Sequence, residues 1–151
     1  MQKFVFVFLF LCIATVSYSQ VLNPVKWSFS SKKLDGNTYE VHLTATLDKG
    51  WHTYSQTTPE GGPVPTAISF TKNPLVSVEG TAKEVGKMEQ HVEPLFNGIN
   101  VKQFSDKVDF VQVVKVKGAA NVTVTGTIES MACNDKQCLP PATEKFAVSL
   151  K

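Results

Sequence analysis

Hydrophobic and polar residues alternate with a period of two along most of the chain that follows residue 20. In YEVHLTATL, residues 39–47, the odd positions are apolar or aromatic and the even positions are polar. The same alternation occurs in VKWSFS (25–30), VTVTGTIESMA (122–132) and EKFAVSL (144–150). Half-buried antiparallel strands produce this pattern. The segment VDFVQVVKV, 108–116, is apolar on both faces and is predicted to be a central strand.

Turn-forming residues separate these segments, and several of the short strands follow one another at spacings near ten residues. The turn-forming residues are Asp35-Gly36-Asn37, Lys49-Gly50, Gly61-Gly62-Pro63, Asn73-Pro74, Asn97-Gly98 and Gly118. No stretch has the periodicity and caps of an amphipathic helix. We therefore predict an all-β fold, an immunoglobulin-like antiparallel β-sandwich in a single domain. Two irregular segments are expected: residues 55–66, and residues 86–100 as a loop that crosses the face of the sandwich.

The first nineteen residues have the composition of a secretory signal peptide. Lys3 precedes an apolar run from Phe4 to Val16, which is too short to span a bilayer comfortably. Small residues then occupy the positions before Gln20 that a signal peptidase inspects. We expect residues 1–19 to be cleaved, together with Cys12, and residues 20–151 to form an exported, soluble domain.

The charge of the chain excludes some classes of partner. Its 15 basic and 13 acidic residues are mixed along the sequence and leave a net charge of +2. A nucleic-acid-binding or membrane-surface protein would show a basic cluster, and none is present in the sequence. We expect neither nucleic acid nor a membrane surface as a partner.

Two cysteines remain after the signal peptide, Cys133 and Cys138, and an oxidising compartment permits a disulfide between them. As a structural staple, this bond would close a loop of about six residues and stabilise the fold by about 2 kcal/mol. As a redox centre, it would lie in a short polar surface loop that can open without unfolding the sandwich. The spacing alone leaves both interpretations open.

A metal site is the third interpretation of the cysteine pair. Zinc in a closed site requires four ligands, so nitrogen atoms from histidine would have to complete the set. The three histidines, His42, His52 and His91, are scattered and show no close pairing in the sequence. We predict no metal at the site.

Three segments, taken in order, resemble the N-terminal periplasmic domain of the DsbD thiol:disulfide interchange proteins. The first is CNDKQCLPP, 133–141, which lies between an alternating strand and the final strand. The second is GWHTYSQTTPEGGPVPT, 50–66, with its aromatic-rich core. The third is HVEPLFNG, 91–98, which is similar to the cap loop of the family. The resemblance implies an immunoglobulin-like sandwich that carries one redox cysteine pair.

The resemblance also implies roles for individual residues. Cys133 and Cys138 match the redox pair, with Cys138 forming the mixed disulfide with partners and Cys133 resolving it. Tyr54 falls where the family has an active-site tyrosine, and His52 where another aromatic residue stands. In the cap loop, Phe96 would cover the disulfide and Glu93 would be the preceding acid.

The partners implied by the resemblance are proteins, and no cofactor or small-molecule substrate is expected. Reducing equivalents would come from a membrane-embedded thiol electron transporter and pass to thioredoxin-like periplasmic proteins, such as disulfide isomerases or cytochrome-maturation thioredoxins. This would make the protein a thiol:disulfide oxidoreductase of the periplasm.

Two departures from the family pattern stand out. Four residues separate Cys133 from Cys138, where the best-known members have five. The sequence to Lys151 also contains neither the membrane domain nor the thioredoxin-like domain of a complete family protein, so we expect its electrons to come from a separate protein. The alternative is a non-catalytic exported β-sandwich that binds a protein or glycan and carries a structural disulfide.

Overall fold

The strands of the domain follow the alternation of the sequence. The computed structural model describes residues 22–118 and 121–151, and they form β-strands joined by turns and one short 3-10 helix. The strands are β1 (Val25–Lys33), β2 (Thr38–Leu47), β3 (His52–Tyr54), β4 (Ala67–Phe70), β5 (Val76–Glu93), β6 (Ile99–Val116), β7 (Val122–Ser130), β8 (Ala132–Cys133) and β9 (Ala142–Leu150). The 3-10 helix is Pro94–Phe96. The predicted signal peptide and Cys12 lie outside the described residues.

Two antiparallel sheets face each other and confirm the predicted sandwich. The smaller sheet has the order β4-β7-β9, and the larger has the order β1-β2-β6-β3-β8 with β5 paired to the other edge of β6. Within the described part of the chain, no helix is long and apolar enough to cross a membrane.

The central strand of the larger sheet is β6, as the apolar segment 108–116 predicted. Its second half pairs with β2 from Thr38↔Lys115 to Thr46↔Lys107, and residues 103–105 pair with the short strand β3. The change of neighbour occurs beside Asp106, whose positive φ of 62° accompanies a bulge opposite Gly86 and Met88. A Cβ on Gly86 would lie 2.8 Å from the carbonyl oxygen of Lys107, so this close approach requires glycine.

The main core lies between the two sheets and is lined by the apolar face of each alternating strand. Val41, Leu43, Phe110 and Ile128 are fully buried in it. Aromatic rings join the sheets, since Phe29 of β1 lies 5.9 Å from Phe146 of β9 between ring centroids. Neither cysteine of the pair belongs to this core.

One prediction about the connections is confirmed and one is wrong. Residues 55–66 contain no strand, as expected from their prolines and glycines. Residues 86–100 are not a loop across the face, because β5 continues to Glu93 and β6 begins at Ile99. Most polar residues in this segment are exposed positions of a long hairpin at the edge of the sheet, and Glu93 is the buried exception. Only the tip of the hairpin, residues 94–98, is irregular.

Candidate functional site

The cysteine pair closes a compact hairpin between β8 and β9. Cys133 and Cys138 are disulfide-bonded, with their Cα atoms 4.0 Å apart, and form an isolated antiparallel bridge. The side chain of Asn134 accepts hydrogen bonds from the backbone N–H groups of Lys136 and Gln137, both at 2.9 Å. An asparagine that bonds its own following backbone stabilises a tight turn. The four-residue spacing is therefore sufficient for a closed turn.

The two sulfur-bearing residues differ in exposure. Cys133 is fully buried, at 0% exposure, and Cys138 is only partly buried. The difference arises because Cys133 belongs to β8 and pairs with His52 of β3, whereas Cys138 lies beyond the turn. A partner from solvent would reach Cys138 first.

The tip of the β5–β6 hairpin, residues 94–98, lies against the region of the disulfide and is called the cap below. Asn97 adopts a left-handed conformation with φ of 55°, and Gly98 follows with φ of 74°, which turns the chain back into β6. The cap places Phe96 against a small cluster that includes Cys133, and Phe96 remains half-buried there. We call this the cap cluster; its buried members are Tyr54, Val101, Met131 and Cys133, and its partly buried members are Val64, Phe96, Ile99 and Cys138.

A chain of buried polar groups runs beneath the cap. The Tyr54 hydroxyl donates to Oε2 of Glu93 at 2.8 Å, and Nε2 of His52 lies 3.0 Å from the same hydroxyl. Oε1 of Glu93 accepts from the backbone N–H of Leu95 at 3.4 Å and so caps the 3-10 helix. Glu93 is only 3% exposed. The chain therefore connects the cap to the residue that lies directly opposite Cys133.

Burial sets the protonation of two of these groups. Desolvation lowers the pKa of His52 below its ordinary value, although Glu93 acts in the opposite direction. Desolvation also raises the pKa of Tyr54 well above its ordinary range, and the hydrogen bond to Glu93 adds to this effect. At neutral pH the imidazole is therefore uncharged and the phenol keeps its proton.

Hydrogen bonds join the irregular segment 55–66 to strand β5 of the β5–β6 hairpin. Glu84 of β5 accepts hydrogen bonds from the Ser55 hydroxyl at 2.9 Å and from the backbone N–H of Gln56 at 2.7 Å. Thr66 closes the segment by donating to the carbonyl oxygen of Tyr54 at 2.6 Å. These contacts hold Val64 where it packs on the cap cluster.

The structure brings all six residues predicted for the site into one region. Cys133, Cys138, Phe96 and Tyr54 share the cap cluster, while Glu93 and His52 belong to the polar chain beneath it. Sequence reasoning missed Val64, Ile99, Val101 and Met131, which line the cluster, and Glu84, which anchors the adjoining segment. No local signal marks them, because they come together only through strand pairing. The exceptions are Ile99 and Val101, whose alternation with Asn100 and Lys102 is a local signal for a strand.

The three histidines are dispersed in the fold. His42 lies on β2 and contacts Asp109 at 2.7 Å, His91 is exposed on β5, and His52 is buried on β3. Across residues 22–118 and 121–151, no group of three or more His, Cys, Asp or Glu side chains is arranged to hold a metal ion. The disulfide also occupies both sulfur atoms that a metal would need.

Comparison with known proteins is consistent with this geometry. The sequence profile of the family described as thiol:disulfide interchange protein DsbD, N-terminal, matches residues 19–150. No curated protein matches the chain in sequence. Among solved structures, the reduced DsbD N-terminal domain of Neisseria meningitidis is similar with a TM-score of 0.51 and 15% identity, over 72% of this chain and 75% of that one. The N-terminal periplasmic domain of ScsB from Proteus mirabilis gives a TM-score of 0.48 and 16% identity, over 83% of this chain and 44% of that one.

Proposed function

Because this chain belongs to the DsbD N-terminal domain family, we propose that it carries reducing equivalents between proteins through the Cys133–Cys138 pair. The single observation that supports this most is the asymmetry of the pair. Cys138 is accessible at the end of a turn, and Cys133 is buried behind it beneath a cap. A purely structural disulfide requires neither an accessible sulfur nor a cap.

The exchange proceeds in two balanced steps. A thiolate of the electron donor attacks Sγ of Cys138, the Cys133–Cys138 bond breaks, and Cys133 leaves as a thiolate that takes up a proton. A second donor thiolate then attacks the mixed disulfide, which releases Cys138 and oxidises the donor. Two electrons and two protons have then moved to this domain. Delivery to an acceptor disulfide follows the same steps in reverse, with Cys138 as the attacking thiolate.

The cap protects the reduced pair between encounters. Phe96 packs on the cap cluster, and Glu93 holds the start of the 3-10 helix to the buried hydroxyl of Tyr54. A partner that approaches the exposed side of Cys138 must move the cap aside to seat there, so exchange is confined to proteins that dock at this end of the sandwich. His52 and Tyr54 belong to β3 and complete the shielding from below.

The partners follow from the family. The donor is a membrane-embedded thiol electron transporter, and the acceptors are thioredoxin-like periplasmic proteins. No cofactor takes part in this scheme. Residues 1–19 serve as a cleaved signal peptide that exports residues 20–151 to the periplasm.

Trapping of mixed disulfides tests this proposal. Cys133→Ser leaves Cys138 free to attack but removes the resolving thiol, so we expect this variant to accumulate disulfide-linked thioredoxin-fold proteins in the periplasm. Cys138→Ser is the matched control, since its remaining thiol is buried, and it should capture few or none. Covalent partners are identified by mass spectrometry after non-reducing electrophoresis. The proposal fails if neither variant captures a thioredoxin-fold protein.

A further inference from the structure

His52 was proposed above to help shield the cysteine pair, but that role does not explain its position next to Cys133. It is the residue directly opposite Cys133 in the antiparallel pairing of β3 with β8. Side chains of such a pair project from the same face of the sheet, with Cβ atoms about 4.5–5.5 Å apart. Both residues are buried, since His52 is 8% exposed and Cys133 is 0% exposed. An ionisable ring therefore neighbours the buried sulfur on the resolving side of the pair.

The hydrogen bonds of Tyr54 determine which nitrogen of this ring carries a proton. The phenol has a single hydrogen, and it donates that hydrogen to Oε2 of Glu93. The contact of 3.0 Å between the phenol oxygen and Nε2 of His52 must then be donated by the imidazole. In the neutral ring the proton lies on Nε2, and Nδ1 keeps the free lone pair.

We propose that His52 is the proton acceptor for Cys133 in the resolving step, an inference that rests on the exchange function proposed above. In that step Cys138 is joined to the acceptor protein and Cys133 is a buried thiol. Nδ1 of His52 takes the proton from Sγ of Cys133, and the resulting thiolate attacks Sγ of Cys138. The Cys133–Cys138 bond forms, and the acceptor leaves as a thiolate carrying two electrons. The imidazolium then returns its proton to water.

The carboxylate of Glu93 stabilises the imidazolium that forms on His52 in this step. When the ring becomes cationic, Nε2 already lies 3.5 Å from Oε2 of Glu93 and is bridged to it by the Tyr54 hydroxyl. A thiol buried in apolar surroundings resists ionisation, so a local acceptor with a stabilised cation lowers the barrier to forming the thiolate. The same arrangement, a carboxylate behind an imidazole behind a nucleophile, activates nucleophiles in general.

Three further charged or ionisable groups lie near the imidazole of His52. They are His91 and Glu89 on β5 and Asp135 in the turn between the cysteines. Ser105, which pairs with His52 from β6, carries no charge. Burial has the largest influence and keeps the pKa of His52 below its ordinary value. The imidazole is therefore neutral and able to accept a proton at neutral pH.

A two-phase chromogenic reaction tests the role of His52. The reduced domain, residues 20–151, is mixed with the aromatic disulfide dithiobis(nitrobenzoate). One coloured thionitrobenzoate is released when Cys138 is modified, and a second is released when Cys133 resolves the mixed disulfide. His52→Gln keeps an amide N–H for Tyr54 but provides no base. We expect the second phase to slow by at least about tenfold at neutral pH. The first phase should change by less than about twofold, because Cys138 does not depend on this base.

The pH profile separates proton transfer from a loss of packing. In the wild-type protein the rate of the second phase should level off above the pKa of His52. In His52→Gln it should rise about tenfold per pH unit, because only the intrinsic ionisation of Cys133 remains. His42→Gln is the matched control, since His42 also contacts a carboxylate but lies on β2, and it should leave both phases unchanged.

Two results would overturn the inference without affecting the exchange function. One is a second phase of wild-type rate and profile in His52→Gln, and the other is equal slowing of both phases. The opposite outcome is also possible. If His52→Gln slows only the second phase while Cys133→Ser traps no thioredoxin-fold protein, His52 keeps its role as proton acceptor and the exchange function is refuted.

Discussion

The main core and the cap cluster are built on different principles. The main core lies between the sheets, and its buried residues are aliphatic, aromatic or alanine side chains drawn from most of the long strands. The cap cluster is small and contains one buried polar side chain, Tyr54, which is hydrogen-bonded to two others, His52 and Glu93. The tip of one hairpin lies over it. The first region has the composition of a rigid scaffold, and the second combines few apolar side chains with buried polar groups.

The difference has an energetic basis. Burial of apolar surface in the main core contributes through many independent contacts, and no single contact has to break for function. The cap cluster depends on few apolar side chains and on a few hydrogen bonds, with a net contribution of about 1 kcal/mol between neutral groups and about 1.5–3 kcal/mol to the Glu93 carboxylate. Local opening of the cap should therefore cost much less than global unfolding. Reactivity of the disulfide can then be controlled without risk to the fold.

Replacing one phenylalanine by alanine in each region should give the largest difference in the free energy of unfolding. Phe110 is fully buried in the main core and packs 6.0 Å from Trp27 between ring centroids, so Phe110→Ala should lower the free energy of unfolding by about 3–5 kcal/mol. Phe96→Ala, its matched partner in the cap, should cost about 1 kcal/mol, because the ring is only half-buried. Urea denaturation measures both values.

The reactivity of the disulfide should change more in Phe96→Ala than in Phe110→Ala, which is the opposite order to the loss of stability. Phe96→Ala removes the ring that packs on the cap cluster and should increase the rate at which a small thiol reduces the disulfide by several-fold. Phe110→Ala should leave that rate unchanged under conditions where the variant is folded. Equal losses of stability in the two variants, with no gain in reactivity for Phe96→Ala, would remove the distinction between the regions.

Reduction of the disulfide is expected to have an intermediate effect. The bond closes a loop of about six residues, and in the chain-entropy model its loss lowers the free energy of unfolding by about 2 kcal/mol. The main core should remain folded, because none of its strand pairs depends on the two sulfur atoms. Denaturation of the oxidised and reduced domains, followed by tryptophan fluorescence, provides the comparison. A reduced domain that is unfolded in buffer would identify the pair as a structural staple.

Acidification is expected to have the smallest effect, and one that is seen first at the cap. Burial lowers the pKa of His52 in the folded protein below the value of 6.5 expected for the unfolded chain. The unfolded state therefore binds more protons below pH 6.5, and stability decreases as the pH falls through this window, with no contribution from His52 above it.

Hydrogen exchange locates this pH effect. Between pH 7 and pH 5, after correction for the intrinsic exchange rate, protection should decrease in residues 92–99, since opening of the cap exposes His52 to protons. β2 and β7 exchange through global unfolding, so their protection should decrease by no more than the loss in global stability and should stay well above that of residues 92–99. His52→Gln serves as the control and should abolish the pH-dependent part in both regions. Equal protection of the two regions at pH 5 would show that the cap and the main core open together.

Most of the sandwich was predictable from the sequence, and the long hairpin that carries the cap was not. The alternation in residues 39–47 and 122–130 identified strands correctly, because each has one face on the core. The same reasoning failed for residues 86–93. There β5 is an edge strand whose side chains are largely exposed on both faces, so no alternation distinguishes it from a loop. The candidate site residues were proposed from motif resemblance, and their mutual contacts were not predictable.

The sequence alone therefore determined the class of fold, the turn positions and the identity of the cysteine pair, since these depend on local periodicity and on spacing within a short segment. Only the tertiary structure decided that Cys133 is buried while Cys138 is accessible, and that Glu93, Tyr54 and His52 form one hydrogen-bonded chain. Glu93 lies 39 positions from Tyr54 along the chain. Contacts over such separations arise from strand register and sheet order, which are fixed by the packing of the whole domain.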